Sequence, residues 1–96
     1  MAEMTDHMKK AINMIPGLTV EYHGDFVRGY YEDALDALRD AGVSEAVVTS
    51  DKSLGAVVQY IKDTYLGNGV LSTFFFQRAK QLQMKGDAAN AENPEG

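Results

Sequence analysis

Between Ser50 and Gly67 the apolar residues Leu54, Val57, Val58, Ile61 and Tyr65 recur at helical spacing, so they share one face of an α-helix. Ser50 or Asp51 caps this segment and Gly67-Asn68-Gly69 ends it. A face of that kind has to lie on other apolar helices, and the rest of the chain supplies them. Thr5 caps a first helix whose Met8, Ala11, Ile12 and Ile15 fall on one face, and Pro16-Gly17 stops it. Asp25, after Gly24, opens a second with the stripe Val27, Tyr31, Ala34, Leu35 and Leu38 and a stop at Gly42. Ser72 caps the last helix, which turns Phe75, Ala79 and Leu82 inward and closes at Gly86.

Two segments depart from this period. Leu18, Val20 and Tyr22 alternate with Thr19, Glu21 and His23, the mark of a short strand or extended connection. A strand there has no partner in the chain, so it pairs with another subunit or is an extended loop. Residues 43–49 fit a single helical turn or a strand equally well. Gly55, inside the clearest helix, costs about 1 kcal/mol against alanine, which suggests a close helix crossing. The expected fold is all-α, a bundle of about four helices with a short extended segment near 18–23. Residues 1–86 form one helical domain, and 87–96, with nothing apolar to bury, form a flexible acidic tail.

Composition narrows the function classes. At 96 residues there is room for one domain. The absence of cysteine excludes a disulfide scaffold, a thiolate zinc site and a cysteine nucleophile. No apolar run is long enough to span a membrane, and Met1–Asp6 lacks the pattern of a signal peptide, so a soluble, intracellular protein is expected. A net charge of −5 argues against a general nucleic-acid clamp. The charge is also uneven. Residues 21–51 hold eight acids and two arginines, whereas residues 70–86 hold Arg78, Lys80 and Lys85 and no acid. These are two solvated helix faces, or they are complementary surfaces of neighbouring copies.

Little in the chain points to catalysis. His7 and His23 have no acidic or hydroxyl partner at a diagnostic spacing and read as surface residues. Glu32, Asp33 and Asp36 lack the spacing of a calcium loop and a companion histidine motif, so they read as solvated helix charges rather than metal ligands. Gly67-Asn68-Gly69 follows no strand and precedes no Lys-Ser/Thr, so it is not a phosphate loop. The chain therefore reads as a non-enzyme without metal or cofactor. Phe74-Phe75-Phe76 is its most unusual feature, because a helix cannot turn three successive positions into one core. Either the helix is sandwiched, or at least one phenylalanine beside Arg78 and Lys80 anchors a partner. Tyr30 and Tyr31 pose the same problem on the second helix. Met1, Met4, Met8 and Met14 crowd the N-terminal segment, where core filling is expected.

The stretch from Asp51 through Leu54, Val57, Val58, Tyr60, Ile61, Lys62 and Tyr65 to Gly67, followed by the Phe-rich helix, resembles the head–tail connector (head-completion, or DNA-packaging adaptor) proteins of tailed bacteriophages. That family shows an acid-capped helix of the form Leu-x-x-Ala-Val-x-x-Tyr-Val-Lys-x-x-Tyr/Phe-Gly, then a variable loop and a last helix. Residues 31–43, rich in alanine and leucine and ending in a glycine turn, resemble its preceding helix. The likeness covers roughly residues 26–84, and the first 24 depart from the family's usual opening. It implies a subunit of a homo-oligomeric ring beneath the portal, located in the virion neck and assembled in the bacterial host cytoplasm. The ring would extend the DNA channel without sequence-specific binding, contact the portal protein and a neck or tail completion protein, and need no cofactor or membrane.

Under that resemblance the contacts between subunits or partners are expected from Tyr30, Asp33, Asp36 and Asp40 on the acidic helix and Phe74, Phe76, Arg78, Lys80 and Lys85 on the basic one, with Gly67, Asn68 and Gly69 as a hinge. The alternative is a small helical interaction adaptor or regulator that binds its partner through the Phe-rich last helix.

Overall fold

Four hydroxyl side chains punctuate the chain, each capping a helical segment by accepting a backbone N–H that would otherwise lack a partner. Thr5 accepts from Met8 (3.1 Å), Thr19 from Tyr22 (3.2 Å), Ser50 from Lys52 (3.2 Å) and Ser72 from Phe75 (3.4 Å). The computed structural model describes the backbone of residues 4–92 and the side chains of residues 4–84. It contains α1 (Asp6–Asn13), α2 (Val20–Asp40), the single turn α3 (Glu45–Val48), a 3₁₀ turn (Asp51–Ser53), α4 (Leu54–Ile61), a π-helical turn (Lys62–Leu66) and α5 (Thr73–Glu92). No strand occurs among the described residues, and the all-α expectation holds.

The stripes read from the sequence form the core. Met8, Ala11, Ile12 and Ile15 meet Val27, Tyr31, Ala34 and Leu38 from α2, with Leu54, Val57 and Ile61 from α4 between them. Phe75, Ala79 and Leu82 of α5 close the remaining side. The eight-residue α4 is the shared element, packed against α1, α2 and α5. Gly42 has a left-handed φ of +91°, which lets the Val43 N–H turn back to the Leu38 carbonyl (3.0 Å).

Two local expectations change, and one left open is settled. The extended segment at 18–23 shrinks to Leu18 and Thr19, and α2 starts at Val20 rather than Asp25. Thr19 decides this: its backbone N–H donates to His23 Nδ1 (3.1 Å) while its hydroxyl takes the Tyr22 N–H, a reciprocal cap stronger than a short alternation of apolar residues. Gly24 therefore lies inside the helix, where a Cβ would overlap the methyl end of Met4. Residues 45–48 form a helical turn, not a strand. Past Gly86 the backbone stays helical to Glu92. The flexibility expected of residues 87–96 concerns side chains, and from 93 onward also backbone, outside the described residues, as does Met1.

Both ends of α4 are pinned by polar contacts. At its start, His7 of α1 bridges three segments. Its Nε2 lies 3.0 Å from the Ser50 carbonyl and 2.9 Å from Ser53 Oγ, and its Nδ1 lies 2.8 Å from the Tyr31 hydroxyl. A carbonyl can only accept, so the proton sits on Nε2 and the Tyr31 hydroxyl donates to Nδ1. Ser53, fully buried, donates in turn to the Val48 carbonyl (2.7 Å). His7 is thus a partly buried tie, not the surface residue that its isolation in sequence suggested.

At the other end, Asp63 Oδ2 accepts from the Ser72 N–H (2.9 Å) and hydroxyl (2.8 Å), and Oδ1 from Gln59 (3.0 Å). The Asp63 carbonyl also takes the Gly69 N–H (3.1 Å), and it closes so tightly on Gly67 that a Cβ there would lie 2.7 Å from it. The connection to α5 is therefore built on one carboxylate. Burial pushes that carboxyl up, but the hydrogen bonds from Ser72 and Gln59, with the charge of Lys62, hold it below its ordinary value.

Two outcomes follow from these ties. His7→Ala removes the partner of the Tyr31 hydroxyl and one of the partners of the Ser50 carbonyl, which keeps Ser53, and urea unfolding should show a loss of about 1–3 kcal/mol. Because the folded Asp63 has a lowered pKa, its contribution is full at neutral pH and is lost as the pH falls below about 4. Asp63→Asn should be less stable than the parent at pH 7, and the gap should narrow on acidification. A gap independent of pH would overturn this account of the turn.

Candidate interaction surfaces

A helix advances about 100° per residue, so Phe74 and Phe76 diverge to opposite sides of Phe75. Phe75 is 2% exposed and meets Tyr60 edge-on at 5.4 Å, whereas Phe74 is 64% and Phe76 57% exposed. The helix is not sandwiched: one ring enters the core and two face outward. Each flank carries a cation one turn on, Arg78 after Phe74 and Lys80 after Phe76, both exposed. These four interface candidates thus lie on two flanks.

The Phe74 flank borders a shallow groove of about 240 Å³ lined by Phe74, Gln77, Arg78 and Gln81. A second groove of about 110 Å³ adjoins it and reaches Lys52, Gly55 and Ala56. The guanidinium of Arg78 lies over Gly55, where a Cβ would come within 3.1 Å of Nη1. The space left by Gly55 therefore holds a side chain, not the close helix crossing expected from sequence. The Phe76 flank leads instead toward α2, since Gln83, nearly on the same side of α5, rests against Gly42.

The acids of α2 are not equivalent. Asp36 is bound to Arg39 (2.8 Å), which also holds Glu45 (2.8 Å). The hydrogen bonds that Arg39 donates lower the Glu45 carboxyl and, made to Glu45 and Asp36, raise the guanidinium. Asp36 is thereby occupied within its own chain, while Asp33 and Asp40 are exposed without an ion pair among the described residues. Tyr60 is pushed up by burial first and then by the negative charge of Asp33.

Tyr30, exposed, packs against Tyr65 with ring centroids 5.2 Å apart. Tyr65 lies in the π-helical turn at Lys62–Leu66, where the Thr64 hydroxyl donates to the Tyr60 carbonyl (2.8 Å). Tyr22 and Phe26, 73% and 63% exposed, continue the stripe of Tyr30 along α2. The sequence placed Tyr22 in the extended segment and left Phe26 unremarked, although steps of four from Tyr22 to Phe26 and from Phe26 to Tyr30 carried the signal. In the expected hinge, Gly69 has φ +83° and the Asn68 side chain accepts the Val70 N–H (3.1 Å). The Lys85 side chain lies outside the described residues.

Beside the His7 tie lies a groove of about 330 Å³ lined by Thr5, Tyr31, Glu32, Leu35 and Thr49 as well as His7, but both imidazole nitrogens are already bonded within the chain. Among the described residues no three His, Cys, Asp or Glu side chains are grouped to hold a metal ion, and no helix is long and apolar enough to cross a membrane. No protein-family model matches the chain, nor does any curated protein or solved structure at a significant level.

The division of the phenylalanines is measurable. Phe75→Ala should lose about 3–5 kcal/mol in urea unfolding, while Phe74→Ser and Phe76→Ser should each stay within about 0.5 kcal/mol of the parent.

Proposed function

We propose that this chain is a structural virion-assembly protein of the head–tail connector type, a ring subunit below a phage portal that extends the DNA channel and docks the next neck or tail component. The observation that carries the reading is the last helix. It holds to the core through Phe75, Ala79 and Leu82 and offers Phe74 and Phe76 to the outside with Arg78 and Lys80 beside them. Exposed aromatic rings next to an arginine are the composition of interface anchors. The sequence resemblance around Leu54–Gly67 supplies the kind of partner, and unlike acidic and basic surfaces suit repeated contacts in a ring.

The test is native mass spectrometry of the purified chain mixed with the portal protein from the same genome. A cyclic multiple of the 10.5 kDa subunit added to the portal ring is the expected result. A folded helical chain that stays free at tens of micromolar overturns the reading in favour of an adaptor that uses the same helix on another partner.

A further inference from the structure

The opposite flanks of α5 belong to two surfaces of unlike chemistry. One surface holds Tyr30 packed on Tyr65, with Asp33 one turn after Tyr30 on α2, while Tyr60 and Phe76 each meet the buried ring of Phe75 edge-on. Asp40 follows Asp33 two turns along α2, and Lys80 is the cation of that side. The other surface is the paired groove, where Arg78 and Lys52 stand among Phe74, Gln77 and Gln81 with no acid in the lining. The nearest acid in sequence, Asp51, is engaged by Lys10 at 2.9 Å. Arg78 and Lys52 have no hydrogen-bond or ion-pair partner among the described residues other than what backbone capping gives Lys52.

We propose that a second copy of this chain is the occupant: its Phe74–Arg78 groove docks on the Tyr30–Asp33–Tyr65 face of the first, head to tail. Aromatic area lies on both sides of the contact, and the charges are of opposite sign, with Asp33 reaching the open Arg78 groove. Complementary charge sets register and speeds encounter, while the rings exclude water around it. Because the two surfaces are separate, the pair keeps one surface of each kind free, one on each copy. The contact therefore repeats, closing to a ring or running on as a filament according to its rotation. Asp36 takes no part, since Arg39 holds it. The proposal deepens the connector reading by naming the faces that would make its ring.

The chain has no cysteine, so single cysteines report the contact without background. Gly29→Cys lies on the acidic face, exposed and with nothing near its Cβ, and Gln77→Cys lies in the groove lining. Mixed copies treated with a short bis-maleimide should give the 29–77 product at about tenfold the yield of the 29–29 and 77–77 products. Arg78→Glu on the Gln77→Cys copy should reduce it about tenfold, and Asp33→Arg on the Gly29→Cys copy should restore it. Equal yields of the three products, or none above that of unfolded chains in urea, overturn the proposal. A chain that cross-links as expected but leaves the portal untouched sinks the connector reading and leaves this contact standing. Loading of the portal without the 29–77 product does the reverse.

Discussion

The fold is built around an eight-residue helix that could not stand alone. Isolated helices as short as α4 are unstable in water, and Leu54, Ala56, Val57 and Ile61 are buried around much of its circumference. Its stability has to come from the neighbours that enclose it, and its position from what holds its ends. His7 holds the start by tying α1, α2 and the 3₁₀ turn to one imidazole. Asp63 holds the finish by gathering the Ser72 cap and Gln59 on one carboxylate. Between these ties the apolar contacts have only one arrangement left to fill.

The second tie has the longer reach. Ser72 is the cap of α5, so the carboxylate that orients Ser72 also sets the rotation of the last helix about its axis. That rotation decides which phenylalanine is core and which two are surface. A turn of 100° would bury Phe74 or Phe76 and expose Phe75 instead. The chemistry of the surface thus depends on a hydrogen-bonded turn that does not itself belong to it. The π-helical turn carries Tyr65 in a comparable setting: the Thr64 hydroxyl donates to the Tyr60 carbonyl within it, and the Tyr65 ring packs on Tyr30 of α2.

Ion pairing sorts the surface further. From composition, the acids of α2 form a single negative field against the cations of the last helix. In the folded chain Arg39 neutralises part of that field by binding Asp36 and Glu45, and Lys10 covers Asp51. These exposed pairs add little stability. Their larger effect is on what remains: Asp33 one turn after Tyr30 on one side, and Arg78 with Lys52 on the other. The proposed assembly function rests on those remainders rather than on the net charge.

The helical period, the caps at Thr5, Ser50 and Ser72 and the stop at Gly42 are local, and they were legible from the residues alone: all-α, the core stripes of the first, second and last helices, and the single helical face of Leu54–Tyr65; the stop expected at Gly86 was not kept, since α5 runs on to Glu92. Legible too was that three successive phenylalanines could not share one core. The sequence did not show where His7 and Asp63 reach, because their partners lie 24 to 46 and 9 residues away and only packing brings them together. Nor did it separate Phe74 and Arg78 from Phe76 and Lys80, since a periodic pattern defines a helix face only relative to the neighbour that covers it. Thr19 was read as part of the alternation of Leu18, Val20 and Tyr22, not as the cap it is. A hydrogen bond from its own backbone to His23 is a local signal, yet it exists only once the helix has formed. Sequence determined which faces are apolar; tertiary structure decided which of them remain uncovered, because coverage depends on how helices far apart in the chain are rotated against one another.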